Sequence, residues 1–279
     1  MLSKDELIEL AEDPRYIEGI FNYCDRWCER CAFTRRCLNY AMVQREEATV
    51  DGGDNGEHGF WDKLQSIFEL TEEMVREWAA ENGTEIEPED IEVVERQQQS
   101  RMEEAGRHEL CRMAREYSLM AEERLEEEDA VIFGCPFRST DDPDGGTIRT
   151  APGTPEDAME VIRWYLHQIY VKLMRALSPV PVPEFSGEGF PNDSDGSAKV
   201  ALLAIDRSIA AWATIRRNFP EQTDSLLDIL LHLDRLRRKT EAAFPRARSF
   251  LRPGFDDGSN PNVPWVRREE VDRGNVTES

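Results

Sequence analysis

Lysine is nearly missing from this chain. Only Lys4, Lys63, Lys172, Lys199 and Lys239 occur among its 34 basic residues, against 57 acidic ones, and the formal net charge is −23. A surface of this kind lacks the cationic patches that attract nucleic acid or anionic membranes, so neither partner is expected. Abundant acid with little lysine suits a high-salt cytoplasm, and GC-rich codon usage favours arginine over lysine equally well. No apolar run approaches the roughly 20 residues that span a bilayer. The opening Met-Leu-Ser-Lys-Asp-Glu-Leu-Ile-Glu-Leu carries acids where a secretory signal has a basic and then an apolar stretch. A cytoplasmic location is therefore expected, where cysteines stay reduced and metal ligation is favoured over disulfides. The chain also has no Gly-rich phosphate loop, no Gly-x-Ser-x-Gly, no Cys-x-x-Cys-His and no Glu-x-x-His. These absences remove the usual signatures of nucleotide binding, serine hydrolysis, haem attachment and ferritin-like di-iron chemistry.

Cysteine is scarce as well, which makes its distribution informative. Four of the six cysteines, Cys24, Cys28, Cys31 and Cys37, crowd into fourteen residues as C-x3-C-x2-C-x5-C; Cys111 and Cys135 lie far away. Thiolates bind soft and borderline metals tightly, so the cluster is read as a metal site. On an unbroken helix Cys24, Cys28 and Cys31 would share one face, with the first and third about 10 Å apart along the axis. A single zinc needs its sulfurs about 3.8 Å apart. Either the helix breaks near Cys28, or one thiol is not a ligand, or the centre is larger, as an iron–sulfur cluster is. Zinc and a [4Fe-4S] cluster both stand as cofactors, beside a reading in which these are ordinary packing thiols. Arg26, Arg30, Arg35 and Arg36 surround the cluster, either to offset thiolate charge or as a solvated face.

The C-x3-C-x2-C portion resembles the cluster motif of radical SAM enzymes. That family has a strand before the motif and an aromatic residue before the third cysteine; here the context is helical and the residue is Arg30, which excludes the match. Cys28, Cys31 and Cys37 are similar, over a short stretch, to part of the auxiliary-cluster motifs of some of those enzymes.

Apolar spacing is helical almost throughout. Asp13-Pro14 reads as the start of a helix running through Tyr16, Ile17, Ile20, Phe21 and Tyr23 into the cysteines. Further helices are expected over about 33–48, 60–81, 88–128, 155–177, 194–219 and 221–243, with loops at 51–56 and 134–155 and a Pro-rich connector over 179–191. The fold class is all-α: a helical bundle of long helices with an N-terminal cysteine-bearing helical hairpin. Three regions follow: an N-terminal cysteine segment over 1–50, the bundle over 51–252 and a flexible tail over 253–279.

Polar groups on apolar helices are the remaining candidates. Glu160, Arg163, His167 and Tyr170 form an i, i+3, i+7, i+10 stripe. Lys199, Asp206 and Arg207 interrupt the most apolar helix, where buried charge requires partners, and the expected partner is that stripe. His108, His167 and His232 each have a carboxylate at helical spacing. The combined reading is a metal-binding helical protein with a structural or interaction role and an unidentified protein partner. The alternative is a redox enzyme, built on an iron–sulfur or bundle-core metal, that uses Glu160, Arg163, His167, Asp206 and Arg207 catalytically.

Overall fold

The computed structural model describes residues 4–49, 57–83, 88–132, 153–179, 193–219 and 223–256. Eight α-helices occur among them: α1 (Lys4–Glu12), α2 (Leu38–Thr49), α3 (Glu57–Glu81), α4 (Pro88–Arg107), α5 (Glu109–Ile132), α6 (Pro155–Leu177), α7 (Asp193–Asn218) and α8 (Thr223–Ala243). The described residues contain no strand, and no helix among them is long and apolar enough to cross a membrane. The all-α expectation holds. The expected loops at 51–56 and 134–152, the Pro-rich connector from 180 and the tail from 257 lie outside the described residues.

Local chemistry sets several helix limits. Thr154 accepts the Asp157 N–H and Pro155 occupies the first turn of α6, so this helix starts where its capping residues dictate. Gly83 takes a left-handed conformation just after α3. The stretch expected as one helix from 88 to 128 is two. His108 Nδ1 accepts the Leu110 N–H at 3.2 Å and so caps α5 rather than pairing with Glu104.

Helices α5 to α8 form an up-and-down four-helix bundle. Contacts between neighbours run in opposite chain directions. Ser118 donates to the Leu166 carbonyl and Arg115 to Tyr170 between α5 and α6. Arg207 meets Tyr165, and Arg175 meets Asp193, between α6 and α7. The ring closes where Lys239 pairs with Glu109 and His232 bonds the Met113 carbonyl, joining α8 to α5. The sealed interior is made of Tyr117, Ile162, Ile169, Leu173, Ile205 and Trp212, with Leu226, Leu233 and Leu236 from α8. Burying each such side chain contributes about 1.5–3 kcal/mol.

The N-terminal segment departs from the expected helical hairpin. No helix runs from Asp13 into the cysteines. Asp13 instead accepts the Arg15 N–H and side chain, which holds a turn. Gly19 then adopts a φ of 69° that helix cannot continue through. The chain proceeds as three short 3-10 turns, Ile20–Tyr23, Cys28–Arg30 and Thr34–Arg36, joined by extended links. It packs against α6 and α7, and residues 247–256 return over it through the Tyr23–Phe250 and Phe33–Phe255 edge contacts.

That packing depends on Gly196 in the first turns of α7. A Cβ there would lie 2.3 Å from the Tyr23 ring and 2.8 Å from Phe250. Tyr23 is sealed and wedged by Phe250, so it has nowhere to swing. Alanine's propensity advantage over glycine is about 1 kcal/mol, whereas overpacking costs about 1–3 kcal/mol. With contact this close the clash wins. Gly196→Ala is expected to destabilise the protein by about 1–2 kcal/mol, read as a lower urea midpoint; an unchanged or raised midpoint contradicts the packing described.

Candidate metal centre

The cysteine segment lies along α6 in the opposite direction, residue by residue. Asn22 accepts from Arg175 through its carbonyl. Further along, the Asp25 carbonyl accepts from Trp164 Nε1 at 3.0 Å and from Gln168 Nε2. Trp27 stacks on Trp164 with centroids 5.0 Å apart and meets the edge of Tyr165. At the far end Arg30 covers the Trp27 ring at 4.3 Å and pairs with Asp157 and Glu160. Asp157, Glu160, Trp164, Gln168 and Arg175 thus form one ladder, three, four or seven residues apart, on a single face of α6.

Asp25 is the centre of this attachment. Its Oδ2 accepts the Tyr165 hydroxyl at 2.6 Å and a guanidinium N–H of Arg207, which also donates to the Tyr165 oxygen. Its Oδ1 accepts the Trp27 N–H at 3.3 Å. Burial pushes the Asp25 carboxyl up, but the Arg207 charge and these hydrogen bonds outweigh it and hold it below the usual carboxylate range. Burial together with the Asp25 charge pushes the Tyr165 hydroxyl well above its ordinary value, so it stays a donor. No sequence pattern had singled out Asp25, Tyr165 or Gln168. The available signal was an acid between two cysteines opposite a lone arginine in an apolar helix.

Cys24, Cys28, Cys31 and Cys37 all border one cavity of about 20 Å³, lined also by Phe21, Trp27, Phe33, Tyr40 and Phe255. Cys24 and Cys28 do not lie on one helix, and between them Arg26 has a left-handed φ of 59°. This conformation is rare for a residue with a side chain. The Cys31 sulfur accepts the Phe33 N–H at 3.4 Å. The Cys24 thiol also donates to the Phe21 carbonyl at 3.4 Å.

Burial raises three of these thiols. Cys24 is pushed up by desolvation, offset in part by the Arg26 N–H and the Arg26 and Lys172 charges. Cys28 is raised by burial and then by the nearness of Cys24 and Cys37. Cys31 is pushed up to about 11, again mainly by burial. Among the described residues no group of three or more His, Cys, Asp or Glu is arranged to hold a single ion as it stands. The donor chemistry nonetheless suits a soft metal. A lone ion fits the cavity volume but requires the sulfurs to draw inward, and an iron–sulfur cube requires the walls to widen.

The other candidates are dispersed. Of the four arginines, Arg26 acts on Cys24 and Cys28, while Arg30 is turned to α6. Arg163 is exposed, and His167, 70 % exposed, pairs with Glu122 at 3.3 Å. The expected joining of Asp206 and Arg207 to the Glu160–Arg163–His167 stripe does not occur. Consecutive residues on a helix point about 100° apart, so Arg207 faces Asp25 while Asp206 pairs with Arg248 at 2.6 Å and Arg237 at 3.8 Å. Lys199 shares Asp206's face and holds the returning 247–256 segment through the Phe250 carbonyl and Asp256. Cys111 is sealed in the bundle core, and Cys135 lies outside the described residues.

The Asp25–Arg207 pair keeps only about a quarter of its side-chain surface, 23 % and 27 %. Removing one partner strands the other, at a typical cost of about 3–5 kcal/mol. Arg207→Met is therefore expected to cost about 3 kcal/mol in urea unfolding. Asp206→Ala, at a 36 % exposed surface pair, is expected to cost below about 1 kcal/mol. Equal effects of the two substitutions contradict the assignment of Arg207 as the buried partner.

Compared with models of known protein families, with curated proteins and with solved structures, the chain gives no match.

Proposed function

We propose that Cys24, Cys28, Cys31 and Cys37 hold a metal centre, a zinc ion or a [4Fe-4S] cluster, which clamps the N-terminal segment to the bundle and gives the protein a structural or interaction role. The observation that carries this reading is that all four cysteines border one aromatic-walled cavity. The N–H···S bond at Cys31 supports it, because a thiolate accepts such a bond far better than a thiol. Zinc would serve as a four-sulfur staple; a cluster would add a one-electron store tuned by hydrogen bonds to sulfur and by burial.

Redox catalysis is the second reading, and it rests on the cluster alone. Glu160 and Asp206 are engaged in ion pairs on the bundle surface, and His167 lies against Glu122 there. Arg207 reaches the cysteine segment only by way of Asp25.

Metal analysis of protein purified without oxygen tests the proposal. About one zinc, or about four irons with matching sulfide, is expected per chain. Cys28→Ser is expected to lower that content severalfold, and Cys111→Ser to leave it unchanged. A native-state ligand present at about a hundredfold its Kd contributes about 2.7 kcal/mol. Stripping by a chelator is expected to lower the melting point accordingly. Equal metal content and melting in Cys28→Ser and the parent protein refute the site.

A further inference from the structure

Helix α3 lies outside the four-helix bundle, with Lys4 of α1 paired to Glu77 near its end. Trp61, Phe68, Thr71, Val75 and Trp78 recur along it at intervals of seven, three, four and three residues, so they share one face about 26 Å long. Ile67 and Met74 border that face. Trp61, Phe68 and Trp78 are 56 %, 64 % and 46 % exposed, and Ile67, Met74 and Val75 are exposed with them. A sealed aromatic side chain buries about 150–250 Å², so these three still present roughly 300–400 Å². With the three aliphatic side chains the face reaches the upper end of the roughly 300–600 Å² that is usually a monomer's largest apolar patch. A standard interface takes about 800 Å² from each partner, somewhat over half of it apolar. This one face supplies what a stable complex needs.

The order of residues along the face identifies the occupant. Trp61 and Trp78 are equidistant from the midpoint between Glu69 and Leu70, and so are Phe68 and Thr71. An antiparallel second copy centred there sets Trp61 of one chain opposite Trp78 of the other, and large Phe68 opposite small Thr71. On one flank Ile67 meets Met74, and on the other Gln65 meets Glu72, so no like charges face each other. The polar groups at the seam are already satisfied within each helix. Thr71 donates to the Ile67 carbonyl at 2.7 Å, Gln65 to Glu69 at 2.8 Å and Arg76 to Glu72 at 2.6 Å, so covering them strands none. Glu69, Glu73 and Glu77 line the opposite side of α3, where a helix lying on an anionic membrane carries Lys and Arg. We propose that α3 is a homodimer surface, on which two copies of this chain pair antiparallel about a two-fold axis at Glu69 and Leu70. Such a contact is self-complementary and closes at two copies. The charge of −23 on each copy opposes it, so the dimer tightens as salt screens the repulsion.

Analytical ultracentrifugation of the full-length chain over a wide range of concentration tests this, at about 0.1 and 1 M KCl, where screening lengths are about 10 and 3 Å. The parent is expected to sediment at twice its chain mass of 32.1 kDa, with the smaller dissociation constant at the higher salt. Phe68→Glu places two carboxylates beside the two-fold axis. It is expected to raise the dissociation constant by about a hundredfold or more, since the change enters the interface twice, with helix content by circular dichroism unchanged. Thr71→Glu, at an exposed polar position that the fold of one chain does not use, is expected to dissociate the dimer as well. Leu119→Glu, equally exposed but on α5, is expected to leave it intact. A parent that stays monomeric at every concentration and salt overturns the proposal. So does a dimer that survives Phe68→Glu and Thr71→Glu, a dimer lost in Leu119→Glu, or an assembly that grows beyond two copies.

Discussion

A single half-buried carboxylate fixes the relation between the cysteine segment and the bundle. Asp25 accepts from Tyr165 on α6, from Arg207 on α7 and from its own Trp27 N–H, and its carbonyl is bonded by Trp164 and Gln168. Five groups from three parts of the chain meet at one residue. A buried ionic hub of this kind adds less net stability than an apolar replacement of the same shape might. Its stronger effect is on register. A slip of one residue along α6 would leave a carboxylate, a guanidinium and a carbonyl unmatched together.

Everything that defines the cysteine site follows from that anchor. Cys24 immediately precedes Asp25, and Arg26 immediately follows it in a left-handed conformation. Trp27 is locked between Trp164 and Arg30, so Cys28 begins its 3-10 turn from a fixed point. Phe33 and Phe255, in edge contact, line the cavity, and Gly254 at a φ of 75° lies close to Ile20. Backbone geometry imposed by a salt bridge, rather than helix periodicity, brings the four thiols to one cavity.

The bundle was legible in the sequence because its determinants are local. Thr154-Pro155 starts α6 and Asn82-Gly83 ends α3, and both limits agree with the structure. The apolar surround of Asp206 and Arg207 correctly marked α7 as central. The site was legible only as a density of cysteines. Apolar residues from Tyr16 to Tyr23 have helical spacing, yet the Asp13 turn and Gly19 divert the chain, and those contacts are outweighed by tertiary packing that spacing cannot express. On α6 the expected stripe through Glu160, Arg163, His167 and Tyr170 is not what meets the cysteine segment; apart from Glu160, that contact falls to Trp164 and Gln168. Only the partner segment decides between two such faces.

The central claim concerns sulfur around a metal, and X-ray absorption at the zinc or iron edge measures that directly. The account predicts a first shell of sulfur alone, four neighbours at about 2.3 Å if the metal is zinc, or sulfur with iron neighbours behind it if it is a cluster. A shell dominated by oxygen or nitrogen, or one unchanged when Cys24, Cys28, Cys31 and Cys37 are all replaced by serine, would contradict it.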